Sequence, residues 1–429
     1  MNKSNPKTSS DNYDVVVVGA GFSGMYLVKK LRDLGLNFVI LEQGGDVGGT
    51  WYWNRYPGAR CDIPTVEYSY SFDKELEQSW DWQELMAAQP EILTYANQVA
   101  DNYDLRDSMR FNTRVASADF DENEHSWTLV TDTGDEYLAR YFIMATGCLS
   151  VPNWPDIEGR EDYAGRTIHT GLWPHEKVDF TGLRVGIIGT GSSAVQSIPE
   201  IAKTAKELKV FQRTPVYTFP AGNHPLDDDF RADIKARYED IRETQRGSLG
   251  GMAMFGVMGR LQEVGTEKIA DCSEEEREQR LVEEGLPSLR RYADVGLDLE
   301  ANEMACDLYR RHIADIIDDP ETAKALMPRG YPMGCKRQVV DIGYYEAFNR
   351  DNVSLIDLRE DPIERINESG VCTAGGQHDV DVLIYATGFD AMTGAINNVS
   401  ITGRSGTKLK EKWENGPRSY LGLQIAGFP

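Results

Sequence analysis

Apolar residues gather along this chain into short unbroken runs that stop at glycine. Asp14-Val15-Val16-Val17-Val18 is β-branched without polar alternation, which predicts a parallel strand buried on both faces. Gly19-Ala20-Gly21-Phe22-Ser23-Gly24 follows, then a helical stretch to about Leu34 and a second strand, Phe38-Val39-Ile40-Leu41, ending on Glu42. The same order recurs: Arg184-Val185-Gly186-Ile187-Ile188, then Gly189-Thr190-Gly191-Ser192-Ser193-Ala194, a helix, and Leu208-Lys209-Val210-Phe211 running into Gln212-Arg213-Thr214. Between the repeats, Arg110 to Gly147 reads as short antiparallel strands, with turns at Asp121-Glu122-Asn123 and Thr133-Gly134-Asp135. The runs Tyr141-Phe142-Ile143-Met144 and Val382-Leu383-Ile384-Tyr385 predict two more buried strands, each closing on Ala-Thr-Gly. These paired endings suggest crossings between two modules, the second inserted into the first. From 222 to 330 charged residues dominate and the apolar period turns helical, at Phe230, Ile234, Tyr238 and Ile241. Ser273 with Glu276 predicts a capping box. Within this insertion, Gly250 to Gly259 reads as packed core, as disorder, or as a mobile substrate-facing loop.

Strand, glycine turn, helix, strand is the order that binds a dinucleotide. Gly19 permits the tight turn, Gly21 lets the backbone approach a pyrophosphate, and Gly24 lets the helix pack closely. The free N–H groups and dipole of that helix favour an anion. Glu42 stands where an acid binds ribose hydroxyls, so the first site suits FAD or NAD. In the second repeat Gly189 and Gly191 make the turn, Ser192 and Ser193 open the helix, and Ala194 takes the close-packing position. No acid ends its second strand. Arg213 stands there instead, and an arginine fork accepts a 2′-phosphate that a carboxylate would repel, so the second site suits NADPH. The expected fold is therefore α/β, with two Rossmann-like dinucleotide-binding domains and a helical insertion. Two dinucleotides on one chain point to hydride transfer between them.

Bulk properties narrow the class. The 429 residues carry a formal charge of −24, which argues against nucleic acid or an anionic membrane as partner. Met1 to Lys7 is polar, which predicts no signal peptide, and no apolar run approaches a membrane span. The six cysteines include no C-x-x-C pair, which fits reduced thiols in the cytoplasm and removes a disulfide-reductase reading. The six histidines show no metal-ligand spacing.

One segment narrows the function further. Tyr163, Gly165, His169, Trp173 and Pro174 stand in the register F-x-G-x-x-x-H-x-x-x-W-P, departing only by Tyr for Phe. Together with the blocks Gly48 to Asp62, Gly334-Cys335-Lys336-Arg337 and Tyr420 to Leu423, it makes the chain resemble the FAD- and NADPH-dependent Baeyer–Villiger monooxygenases over nearly its whole length. The resemblance implies conversion of a ketone to an ester or lactone with NADPH and O₂, through a C4a-peroxyflavin whose anion attacks the carbonyl. It implies that Arg337 is the cation beside that anion and Asp62 its partner. Lys336 would join Arg213 and Thr214 on the 2′-phosphate. His169 would act through shape and hydrogen bonding, not as an acid or base. Thr50, Trp51, Asp62, Tyr68 and the backbone at Val115 match flavin-site positions, and Gln89 a position near substrate.

The expected domains are 1–147 with 385–429 for FAD and 184–222 with 331–384 for NADPH. Residues 148–183 form a linker carrying the motif, and 223–330 a helical insertion. The resemblance also implies a further stretch beyond Phe428-Pro429 that completes the flavin site. Two alternatives stand beside this reading: a flavin monooxygenase acting on sulfur or nitrogen, and a non-catalytic nucleotide-binding chain.

Overall fold

The structure, a computed structural model, describes residues 11–248, 251, 265–337 and 339–429. The N-terminal stretch Met1 to Lys7 and, apart from Gly251, the Gly250 to Gly259 stretch lie outside the described residues. The chain divides into two compact units, one holding residues 11–54, 92–153 and 389–429 and the other 55–91 and 154–388.

In the first unit, β1 (Asp11–Val18) lies between and parallel to β2 (Phe38–Leu41) and the far end of the sheet's long strand. The short β3 (Met109–Arg110) adds to β2, and β4 (Val115–Asp121), β5 (Ser126–Thr131) and β6 (Glu136–Met144) form an antiparallel meander. β6 is the long strand. Its first half pairs with β5 and its second half carries on beside β1, which joins meander and parallel strands into one sheet. Helix α1 (Phe22–Asp33) buries Met25, Val28 and Leu31, spaced three apart along one face. Val16, Val18, Val39, Leu41, Trp127 and Leu129 form the core beneath. Gly48 and Gly49 lead into a single turn, α2 (Thr50–Trp53). β6 departs from the buried strand that its apolar run predicts: Tyr141 is 47% exposed and Phe142, Ile143 and Met144 are half-buried. Pairing on both edges satisfies a strand's backbone without covering its faces.

Residues 55–91 carry α3 (Lys74–Ser79) and the start of α4 (Gln89–Asn102). The rest of the second unit is built on five parallel strands: β7 (Arg166–His169), β8 (Arg184–Ile188), β9 (Glu207–Gln212) and, later in the chain, two more. Helix α5 (Ser192–Ala202) links β8 to β9. After β9 the chain makes β10 (Thr218–Pro220), runs through the insertion, and returns as β11 (Val339–Asp341), which pairs in parallel with β10. Then come β12 (Val353–Asp357), an antiparallel ribbon of β13 (Ile363–Asn367), β14 (Gly370–Thr373) and β15 (Gly376–Asp379), and β16 (Val382–Tyr385). The sheet order is β12-β9-β8-β16-β7, all parallel, with β16 fully buried at the point where order reverses. The chain finally returns to the first unit, where β17 (Ser400–Thr402) pairs with β4 and completes the order β17-β4-β5-β6-β1-β2-β3.

Between β10 and β11 stand α6 (Asp228–Gly247), α7 (Glu274–Glu284), α8 (Leu299–Ile316) and α9 (Pro320–Leu326). Each starts on a capping side chain: Asp227, Ser273, Asp298 and Asp319. The capping box is complete, with Glu276 accepting from the Ser273 N–H at 2.7 Å and its own N–H donating to Ser273 Oγ at 3.2 Å. On α6 the buried face is Ile234, Tyr238, Ile241 and Arg242. The two helices that follow glycine turns behave otherwise. α1 and α5 begin on Gly21 and Gly191, with no side-chain cap.

Candidate active site

The two glycine turns repeat each other closely. Gly19 has φ +108° and Gly189 has φ +111°. A Cβ on Gly19 would lie 2.6 Å from the Ala145 carbonyl oxygen, and one on Gly189 2.5 Å from that of Ala386. Each Ala-Thr-Gly ending is thus the brace on which a turn sits, and only glycine fits the approach. Gly21 and Gly191 share extended geometry, at φ −74°, ψ −170° and φ −79°, ψ −170°. Their surroundings are open: nothing lies within 4 Å of a Cβ on Gly191, and the nearest atom to one on Gly21 is the Gly49 Cα at 3.5 Å. A closed glycine followed by an open one, then a helix N-terminus without a side-chain cap, is the geometry that accepts an anion. The third position differs. A Cβ on Gly24 would meet the Gly19 carbonyl at 1.9 Å, whereas Ala194 carries its methyl fully buried.

Glu42 is buried at the end of β2, one carboxylate oxygen accepting from the Ala20 N–H at 2.7 Å and the other from the Gly44 N–H at 2.6 Å. Burial raises its pKa against the lowering effect of these two bonds. Each oxygen keeps a second acceptor direction for a ribose hydroxyl. Trp51 is buried, Thr50 is exposed at the start of α2, and Val115 is buried where β4 begins.

In the second unit the motif segment is fastened to the glycine turn. Thr170 Oγ1 and Ser193 Oγ are 3.0 Å apart, and Thr190 Oγ1 donates to the Thr214 carbonyl at 3.0 Å. His169, 1% exposed, accepts from the Gly171 N–H at Nδ1 (3.0 Å) and lies 3.3 Å from Thr387 Oγ1 at Nε2. A backbone N–H can only donate, so the neutral ring carries its hydrogen on Nε2 and offers it to Thr387. Trp173 is buried against Phe180. Gly165 lies beneath the Tyr163 ring, where a Cβ would approach Cζ to 2.4 Å.

Parallel pairing of β10 with β11, Thr218 opposite Val339, brings the segments leading into both strands to one end of the pair. Those segments carry Arg213 and Thr214 on one side and Lys336 and Arg337 on the other. Tyr331 bridges them: its hydroxyl donates to the Pro215 carbonyl at 2.6 Å, and Lys336 Nζ stands 4.4 Å above its ring. Arg213 and Lys336 are exposed. Arg337 Nη2 donates to Asp62 Oδ2 at 2.6 Å, with Arg337 69% and Asp62 21% exposed. Beside Asp62, burial pushes the Cys61 thiol up to about 12. That thiol stays protonated near neutrality and is no nucleophile.

Comparison with known proteins agrees with this geometry. Residues 16–253 match the family described as pyridine nucleotide-disulphide oxidoreductase. A Baeyer-Villiger monooxygenase of Pseudooceanicola batsensis is 41% identical over 434 residues, covering 99% of this chain and 77% of that protein. The chain belongs to the Baeyer–Villiger monooxygenase family. The phenazine N-monooxygenase PhzNO1 of Lysobacter antibioticus is 40% identical over 426 residues, 97% of this chain and 77% of that one. The solved structure of an oxidized steroid monooxygenase bound to NADP is 48% identical, with a TM-score of 0.89 over 97% of this chain and 79% of that one. All six cysteines of this Baeyer–Villiger monooxygenase are free.

The remaining expected positions are dispersed. Tyr68, half-buried, belongs to the second unit, whereas Thr50, Trp51 and Val115 belong to the first. Gln89 is 6% exposed, and its N–H donates to the Ala59 carbonyl at 2.8 Å. Sequence reading missed Thr170 and Thr387, whose hydroxyls carry no signal until the fold sets them beside Ser193 and His169. It also left the Tyr-for-Phe departure at Tyr163 unexplained. The Tyr163 hydroxyl donates to the Val380 carbonyl at 3.0 Å, and burial pushes its pKa up to about 12. Tyr163→Phe is therefore expected to lower stability by about 1 kcal/mol through the lost bond. Urea unfolding at neutral pH checks this, and an unchanged midpoint would mean that the bond contributes nothing.

Proposed function

We propose that this monooxygenase inserts one atom of O₂ beside the carbonyl carbon of a ketone, giving an ester or lactone, with FAD resident and NADPH as reductant. The observation that carries the reading is the Asp62–Arg337 pair at 2.6 Å, in a chain whose two glycine turns each fit a dinucleotide. That fit rests on two uncapped helix N-termini behind open glycines, in a chain whose four insertion helices all begin on capping side chains. When bound, FAD supplies the passage of electrons from NADPH to O₂.

The protein's own part is to bind, orient and stabilise charge. Gly19, Gly21, Gly24 and the start of α1 hold the FAD pyrophosphate, and Glu42 holds a ribose hydroxyl. Thr50, Trp51, Asp62, Tyr68 and the Val115 backbone line the flavin. Gly189, Gly191, Ser192, Ser193 and Ala194 receive the NADPH pyrophosphate, while Arg213, Thr214 and Lys336 take its 2′-phosphate. Gly165, His169 and Trp173 keep the motif segment seated on this turn.

Arg337 would stabilise the negative charge that passes to the ketone's oxygen as its carbonyl carbon is attacked. A guanidinium is charged at every working pH, so its stabilisation of that anion needs no proton balance. Asp62 holds the fork's direction. An ion pair this exposed contributes about 1 kcal/mol or less, so the guanidinium can leave it for the developing anion at little cost.

We assign FAD to residues 1–147 and 385–429 and NADPH to 184–222 and 331–384, with the linker at 148–183 and the insertion at 223–330. Six free cysteines support a cytoplasmic location, and no helix among the described residues is long and apolar enough to cross a membrane. Attack on nitrogen is the second reading, favoured by the 40% identity to PhzNO1. It gives a fixed cation less to do, since no tetrahedral anion forms.

Purified protein incubated with NADPH, O₂ and cyclic, aromatic or linear ketones, and separately with an N-heterocycle, separates the two by mass spectrometry. Bound yellow flavin with ester or lactone is the expected result. N-oxide without ester, or colourless protein that consumes no NADPH, would overturn the proposal.

A further inference from the structure

The loop that carries Asp62 is built on the second nucleotide's helix. Gln196, on α5, is 8% exposed and uses both ends of its carboxamide: Oε1 accepts from the Tyr56 hydroxyl at 2.9 Å, and Nε2 donates to the Arg60 carbonyl at 3.2 Å. Between these two feet the chain arches over the helix. The Ala59 N–H donates back to the Tyr56 carbonyl at 3.0 Å, closing a turn. Gly58 stands at its crown with φ +80°, and a Cβ there would come within 2.1 Å of the Gln196 carbonyl oxygen. The backbone of the arch thus rests directly on the backbone of α5. Beyond the arch, Arg60 Nη1 donates to Glu84 at 2.9 Å and to the Met86 carbonyl at 3.1 Å, and the Cys61 N–H to the Ala87 carbonyl at 3.0 Å. Asp62 comes next, 2.6 Å from Arg337.

Gln196 lies about one helical turn beyond Ser192, at the end of α5 where the second dinucleotide's phosphates bind. We infer that Gln196 is a positioning residue, which sets Asp62 against Arg337 by clamping the Tyr56–Arg60 arch to the NADPH-binding helix. One rigid helix then serves both the nucleotide's phosphates and the carboxylate that steers the guanidinium. The inference rests on the roles proposed above for Asp62 and Arg337. In this role Gln196 acts through the loop, by its contacts with Tyr56, Gly58 and Arg60.

The experiment measures ester formed per NADPH consumed in the flavin-loaded enzyme, for Gln196→Leu, Asp62→Asn and the double variant. Leucine keeps much of the volume and removes both hydrogen bonds. Gln196→Leu is expected to lower the yield per NADPH about fivefold, the factor that loss of about 1 kcal/mol of hydrogen bonding produces. If Gln196 works through Asp62, the double variant falls no further than Asp62→Asn alone. A merely structural role would instead make the two losses multiply, which overturns the inference, as does an unchanged yield in Gln196→Leu beside a lowered one in Asp62→Asn. No effect of Asp62→Asn would overturn the reading of the ion pair, and this inference with it. Should Gln196→Leu fail to fold, Tyr56→Phe removes one foot of the clamp by a single hydroxyl. It is expected to lower the yield about twofold, also without adding to Asp62→Asn, and an unchanged yield there counts against the clamp.

Discussion

Arg337→Ala is expected to cut ester formation by about 10²–10³-fold, the usual effect of removing one preorganised donor from a developing oxyanion. The variant should nevertheless accept electrons from NADPH. The residues proposed for both dinucleotides, from the glycine turns before α1 and α5 to Glu42, Thr50, Trp51, Asp62, Tyr68, Val115, Arg213, Thr214 and Lys336, do not include Arg337 and remain intact. Anaerobic mixing with NADPH should therefore bleach the flavin as in the parent, and aerobic turnover should consume NADPH without yielding ester. Arg337→Lys should recover only part of the loss, since an ammonium is a point charge without the planar fork that Asp62 holds. An ester yield equal to the parent's in Arg337→Ala would remove the residue from the chemistry. Loss of flavin bleaching in the same variant would show that it acts in nucleotide binding instead.

Arg213→Ala is expected to raise the Michaelis constant for NADPH by about 10- to 100-fold, corresponding to loss of about 1.5–3 kcal/mol of charged hydrogen bonding. The constant for NADH should move by less than about twofold, because NADH has no 2′-phosphate for the arginine to meet. Lys336 remains in the variant, so discrimination between the coenzymes should narrow without vanishing. Its Nζ is placed by the Tyr331 ring, which is tied in turn to the Pro215 carbonyl beside Thr214. Steady-state kinetics with both coenzymes decide the matter, and equal changes for the two would refute the phosphate assignment. Because Arg213 and Lys336 are exposed, the preference for NADPH should also weaken as ionic strength rises.

What the sequence made legible was local. The glycine turns could be read because φ values near +110° and a carbonyl packed against Gly19 or Gly189 admit no other residue. The Ser273–Glu276 box could be read because its partners stand three residues apart. The strand Arg184–Ile188 could be read because burial on both faces leaves only apolar residues in a row. Contacts over long separations left no such trace. Asp62 and Arg337 are 275 positions apart, and resemblance to a family, not periodicity, brought them together. Gln196 reads as one more polar residue on a helix, and only the arch above it reveals that both ends of its amide are used. The clustering of 55–91 with the second unit was hidden for the same reason: it rests on individual hydrogen bonds such as Tyr56 to Gln196 and Gln196 to the Arg60 carbonyl. Tyr141 misled in the other direction, since an apolar run records what a strand can bury and not what comes to cover it.

The parallel pairing of β10 and β11 has an engineering consequence. The helices between them leave after β10 and rejoin ahead of β11, and the two strands are tied side by side, with the Ala221 N–H donating to the Asp341 carbonyl at 2.8 Å. They therefore form a cassette whose contents can be exchanged between homologues without re-threading the five-strand sheet. Arg213 and Thr214 lie ahead of β10, and a return splice placed just after α9 leaves Lys336 and Arg337, which stand between α9 and β11, with the host as well. Grafting can thus vary the helical insertion while the residues proposed for coenzyme choice and oxygen chemistry stay with the host.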